Sequence, residues 1–177
     1  MNTKIICLFS GPGAGKSTIA SLLFGYMKLR GYKVELVLEA AKYFTYEKRS
    51  LALGCQPYVF GKQLMGLERV MGQVDYIITD SPIFLSILYH NNKYPESFEQ
   101  SVVDIFKSMN NYNFYINRVK PYASYGRNQT EDEAKELDFL IKQKLLQYNV
   151  DFTSVNGDEA AVEKIYRELK QYETGDR

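Results

Sequence analysis

The chain has 177 residues, 22 basic and 21 acidic side chains and a formal net charge of +1. That length is enough for one sizeable hydrophobic core, and a near-neutral balance excludes a global field drawing the chain to nucleic acid or an anionic membrane. No apolar run of about 18 residues and no signal-peptide pattern occurs, so the expectation is a single domain over residues 1–177, located in the cytoplasm.

In chain order, the apolar run Ile5 to Phe9 predicts a buried strand, followed by Ser10-Gly11-Pro12-Gly13-Ala14-Gly15-Lys16-Ser17-Thr18. This satisfies G-x-x-x-x-G-K-[ST] except at its first position, where Ser10 replaces glycine. Glycines let successive N–H groups point into one concavity, and a helix opening at Lys16 adds its positive dipole end. Gly11, Pro12, Gly13, Ala14, Gly15, Lys16, Ser17 and Thr18 are therefore the candidate nucleotide-binding residues. Lys16 would reach the β- and γ-phosphates, and the Ser17 hydroxyl would ligate Mg²⁺.

Ile19, Leu22, Leu23, Tyr26 and Met27 recur at helical spacing, ending near Gly31. Val34 to Leu38 predicts a second strand with Glu39 at its end. Residues 40–49 read as helix or partly helical loop, carrying Tyr43, Phe44 and Tyr46, with Gly54 and Pro57 as interruptions. A helix is expected from about Tyr58 to Gln73. Tyr76 to Thr79 predicts a strand ending in Asp80, Phe84 to Tyr89 a short helix, and Phe98 to Met109 a patterned helix after Pro95. Tyr112 to Asn117 alternates as a fourth strand.

Residues 118–129 then lose apolar periodicity and form a basic, lid-like loop running to about 130. Thr130 and Glu133 make a capping box for a helix with Ala134, Leu137, Ile141, Leu145 and Tyr148 on one face. Val150 to Val155 is the expected fifth strand, and a last amphipathic helix carries Val162, Ile165, Tyr166 and Leu169. Alternation of strands and helices predicts an α/β fold, a parallel sheet with helices on both faces. Ligands then sit at the carboxyl ends of the strands, where the phosphate loop, Glu39, Asp80 and the basic loop all fall.

Each of these carries a candidate role. Asp80 follows a mostly apolar strand, the arrangement of a Walker B aspartate that holds Mg²⁺. Glu39 is placed to accept the proton of an attacking hydroxyl or to bind sugar hydroxyls, although Asp80 could take the base role instead, and Glu47 is the next acid. Arg127 and Arg118 would bring guanidinium charge to a transferring phosphoryl group. Tyr43, Phe44, Tyr46, Tyr58 and Phe60 could stack on a flat acceptor ring. Lys42, Lys48 and Arg49 would suit a monophosphate acceptor. Cys7 and Cys55 lack C-x-x-C or metal spacing and are expected to be reduced thiols, and the single histidine, His90, is expected at the surface.

SGPGAGKST at 10–18, LEAAKYF at 38–44, ITDSP at 78–82, NRVKPY at 117–122 and YGRNQTEDEA at 125–134 together resemble small P-loop kinases acting on nucleosides or nucleotides. The nearest likeness is to the ribosylnicotinamide-kinase domain and the small, often phage-encoded, P-loop kinases around it. The resemblance implies a three-layer P-loop NTPase fold with strand order 2-3-1-4-5 and ATP as donor. It also implies Glu39 or its neighbourhood near the acceptor hydroxyl and lid duty for Arg127. The chain departs from it at Ser10 and in lacking an aspartate at the end of the second strand. The partner so implied is a small nucleoside or nucleotide. Two other readings stand beside it: a kinase of hydroxymethylated bases in DNA, and a non-catalytic NTP-binding regulatory module. A guanine-reading N-K-x-D is absent, since Asn117-Arg118-Val119-Lys120 does not supply it.

Overall fold

The computed structural model describes residues 3–89, 93–122 and 130–174. Five strands form one sheet: β1 (Lys4–Phe9), β2 (Val34–Val37), β3 (Tyr76–Thr79), β4 (Asn111–Asn117) and β5 (Thr153–Asn156), in the order β2-β3-β1-β4-β5. Every pairing is parallel. The apolar segment nearest the N-terminus is thus the central strand, and it is buried on both faces. Ile5, Cys7 and Phe9 point into one core, Ile6 and Leu8 into the other, as the two-residue period of a strand requires.

Among the described residues, seven α-helices surround the sheet: α1 (Lys16–Lys28), α2 (Ala40–Tyr46), α3 (Ser50–Leu53), α4 (Gln56–Glu68), α5 (Glu96–Lys107), α6 (Glu131–Gln147) and α7 (Ala161–Thr174). α1 and α7 cover the Ile6–Leu8 face with Ile19, Leu23, Val162 and Ile165. α4, α5 and α6 cover the other with Leu67, Val102, Phe106 and Ile141. There Phe9 meets Phe84 and Phe106 edge-on at 6.0 and 6.1 Å, the geometry aromatic quadrupoles favour. The fold class and strand order are those expected.

Several boundaries differ from the sequence pattern, each for a local reason. Pro57 does not interrupt a helix but lies in the first turn of α4, where its missing N–H has no intrahelical partner to lose. The helix consequently runs over Gln56–Glu68 rather than 58–73, after the extra turn α3. The segment after Asp80 is a 3₁₀ helix, Ile83–Leu88. β5 starts three residues later than expected, because Val150 belongs to the end of α6. Asn149 turns left-handed at φ 50°, and the Val150 N–H bonds back to the Leu145 carbonyl at 2.8 Å, a common helix-ending wrap. The capping box is present, with Thr130 Oγ1 accepting from the Glu133 N–H and Glu133 Oε2 accepting from the Thr130 N–H. Among the described residues no helix is long and apolar enough to cross a membrane.

Candidate active site

The phosphate loop joins β1 to α1 at the carboxyl edge of the sheet. Gly15 holds the N-cap of α1 at φ 102°, without a side-chain cap, and the first turn carries no acidic residue. Nothing in that turn therefore cancels the positive end of the helix dipole. Lys16 Nζ folds over the loop and donates to the carbonyls of Ser10 at 2.6 Å and Gly11 at 2.9 Å. Desolvation pushes this ammonium below the ordinary lysine range, opposed by the carboxylates of Glu39, Asp80 and Asp138.

Two acids face it from neighbouring strand ends. Asp80 follows β3, is buried, and its Oδ1 accepts the backbone N–H of Glu39 at 2.9 Å. Glu39 is the N-cap of α2, but its carboxylate makes no capping bond. The cap is supplied from elsewhere: Asp80 takes the Glu39 N–H, and Gln63 Oε1 accepts the Ala40 N–H at 3.0 Å. Gln63 Nε2 in turn donates to Thr79 Oγ1 at 3.3 Å. The Glu39 side chain is thereby left to the cavity. Burial pushes both carboxyls up, with Lys16 opposing in each case.

A cavity of about 240 Å³ is lined by Ser17, Leu38, Glu39, Lys42, Tyr43, Tyr46 and Asp80. It brings together the loop's hydroxyl, both acids and two of the expected aromatics. Phe44 is instead buried and stacked on Tyr58 at 5.5 Å, and Phe60 packs into the core against Phe98. Arg49 lies over the Phe44 ring at 5.1 Å and pairs with Glu47, so neither it nor Glu47 lines the cavity, whereas Lys42 does. A larger cleft of about 440 Å³ between α5 and α6, lined by Glu96, Glu99, Lys144 and Tyr148 among others, is remote from this chemistry.

For Mg²⁺ the donor set is suitable. Ser17 and Asp80 share the cavity wall, and a desolvated carboxylate gains from a cation. Among the described residues no group of three or more His, Cys, Asp or Glu side chains could hold a metal. Mg²⁺ bound through one or two protein oxygens plus substrate phosphates needs no such cage.

On the other side of the loop stands Arg118, directly after β4. Its Nε and Nη2 reach Asp138 Oδ2 at 3.0 and 2.9 Å, and Nη2 also reaches the Pro12 carbonyl at 2.8 Å. The side chain is 11% exposed. Arg118 is therefore packed against the phosphate loop rather than on the cavity of Glu39 and Asp80, while Arg127 and His90 lie outside the described residues. Tyr122 covers the loop as well: a Cβ on Gly13 would meet its ring at 2.9 Å.

A family model described as an AAA domain matches residues 5–161, the span from the central strand through the phosphate loop to the start of α7. The chain belongs to that family. Among solved structures, this AAA domain aligns with deoxyadenosine kinase from M. mycoides in two states. With products dCMP and a flexible dCDP bound, the TM-score is 0.59 at 20% identity, covering 94% of this chain and 99% of that one. With dATP bound, the TM-score is 0.55 at 19% identity, covering 94% and 98%. At these identities the likeness is one of fold, a P-loop kinase fold. No curated protein matches the sequence.

Asp138 and Gln63 were not among the residues expected at the site. A signal for each existed, because both are polar residues on apolar helical stripes. Asp138 falls between Ala134 and Ile141, and Gln63 between Phe60 and Leu67.

Proposed function

We propose that this AAA domain is an ATP- and Mg²⁺-dependent kinase that moves the γ-phosphoryl group to a hydroxyl of a small nucleoside or nucleotide. The observation that carries this reading is the desolvated Glu39 carboxylate, freed from capping, in one cavity with Ser17 and Asp80. A protein that only bound a nucleotide would have no use for a second, half-buried acid beside the Walker B aspartate.

In this reading the loop amides and Lys16 hold the triphosphate, and Lys16 exchanges the loop carbonyls for phosphate oxygens. Ser17 and Asp80 would hold Mg²⁺, which would supply positive charge against the donor's phosphates. Tyr43 and Tyr46 flank the acceptor ring. Glu39 takes the proton of the acceptor hydroxyl as that oxygen bonds to the γ-phosphorus, and the bond from the γ-phosphorus to the β–γ bridging oxygen breaks to release ADP. We give Glu39 the base role because one Asp80 oxygen already accepts the Glu39 N–H. Arg118 and, on sequence grounds alone, Arg127 stabilise charge on the transferring group. Among the described residues Lys42 is the one cation lining the cavity, and it stands among two carboxylates, which favours an acceptor hydroxyl over an acceptor phosphate.

The test is transfer from γ-labelled ATP with Mg²⁺ to pooled nucleosides, pooled nucleoside monophosphates, or DNA with and without hydroxymethylated bases, with Lys16→Ala as the blank. Label in the nucleoside pool is expected. Label in DNA would move the acceptor to a base in a nucleic acid, which the net charge of +1 disfavours. Label in free phosphate only, or nowhere, would reduce the protein to an ATPase or a binding module.

A further inference from the structure

Helix α6 meets the phosphate loop through one carboxylate. Asp138 divides its two oxygens between partners that a single loop must keep in register. Oδ1 accepts the Gly11 N–H at 2.6 Å, and Oδ2 accepts Nε and Nη2 of Arg118. The contact is close enough to explain Gly11 without any special backbone angle. A Cβ there would sit 2.6 Å from the Ala134 carbonyl and 2.9 Å from Asp138 Oδ1, so only glycine lets the helix approach. Arg118 has one nitrogen left over. Nη1 is buried without a hydrogen-bond partner among the described residues, and it lies 3.1 Å from where a Cβ on Gly13 would be. A buried guanidinium N–H without an acceptor is costly, and this one faces the loop that would hold the donor's phosphates.

We infer that Asp138 is the positioning residue of the phosphate loop. It presents Arg118 Nη1 to an oxygen of the donor's polyphosphate and pins the Gly11 peptide with the same carboxylate. Because Asp138 lies on α6 and holds both Gly11 and Arg118, donor binding and the seating of this helix become one event. The inference rests on the loop's reading as a nucleoside triphosphate site and adds to it a specific arrangement for reading the phosphates. Asp138 itself touches no substrate; its effect passes through Arg118 and Gly11.

The experiment is equilibrium binding of a fluorescent ATP analogue with Mg²⁺ to the full chain, for the wild type, Asp138→Asn, Arg118→Gln and the double variant, with thermal unfolding in parallel. Asp138→Asn keeps the shape but removes the charge that orients the guanidinium. It should weaken ATP binding about 10–100-fold, raise KM for ATP and leave KM for the acceptor unchanged. Arg118→Gln should lose a similar factor, and the double variant little more than either, the signature of residues acting as one unit. Asp138→Glu should recover part of the loss. Unchanged ATP affinity in Asp138→Asn, with or without a drop in Tm, would overturn the inference and leave Asp138 a structural tie. Failure of the wild type to bind ATP would instead remove the nucleotide reading itself, and this inference with it.

Discussion

The two ends of the sheet use similar residue types in opposite ways. Where the strands begin, Arg30 lies 3.4 Å over the Tyr26 ring, Lys170 4.9 Å over Tyr32 and Lys4 5.3 Å over Tyr76. The hydroxyls of Tyr32 and Tyr166 share a hydrogen bond of 3.0 Å, and Lys4 pairs with Glu173 at 2.9 Å. These cations keep access to water while their stems and neighbouring rings cover apolar surface. Where the strands end, Lys16, Glu39 and Asp80 interact while desolvated, and burial works against the charge of each. The first arrangement stabilises a fold cheaply. The second costs stability in the ligand-free chain, and a bound phosphate, cation and hydroxyl would offset that cost. Such a concentration of perturbed acids and bases in a cleft marks a candidate functional site.

That contrast can be broken most sharply at Glu39. Glu39→Gln should lower kcat about 10²–10⁴-fold while ATP binding persists, as measured by initial transfer rates beside equilibrium binding. The same variant should make the ligand-free chain more stable at neutral pH. A carboxyl whose folded pKa is raised favours folding in its protonated form, so its contribution is best below the unfolded value and is lost as pH rises through the folded one. Thermal unfolding at pH 7 should therefore show a higher Tm for Glu39→Gln, by about 2–4 °C per kcal/mol regained. A lower Tm would contradict the reading of this end as strained for function.

At an intermediate scale, Gln63→Leu removes the acceptor of the Ala40 N–H and the donor to Thr79 Oγ1. It should cost about 1–3 kcal/mol, seen by denaturant unfolding, and reduce kcat through a displaced Glu39. The smallest effect belongs to the other end. Arg30→Ala should cost about 0.5–1 kcal/mol at most and leave transfer kinetics unchanged, since its contacts are to the Tyr26 and Tyr166 rings and the Tyr26 carbonyl.

Much of the site was legible in one dimension because its parts are contiguous. The strand, glycine turn and helix at residues 5–28, the Thr130–Glu133 box and Asp80 after an apolar strand are each short patterns with a local cause. Glu39 was legible as a strand end, but its release from capping was not, since that depends on Asp80 and Gln63 arriving from other elements. Asp138 was visible only as a polar residue on an apolar stripe; its partner was not legible, because Gly11 is 127 positions away. The misplaced start of the fifth strand came from Asn149, whose left-handed turn competes with a β-branched run that reads as strand. Aromatic residues at helical spacing divided as packing dictated, with Phe44 buried, Phe60 half-buried against the core, and Tyr43 and Tyr46 at the cavity.

The measurement that bears most directly on the central claim is the pH dependence of kcat/KM for phosphoryl transfer, in the wild type and in Glu39→Gln. Burial pushes Glu39 up, so the wild-type profile should fall on its acid side at a pH above the ordinary glutamate value of about 4.3. Its midpoint would belong to the Glu39–Asp80 pair rather than to either acid alone. Glu39→Gln should be slow throughout and should lose that acid limb. An undiminished rate with the same acid limb in Glu39→Gln would contradict the account, taking the proton-accepting role away from Glu39.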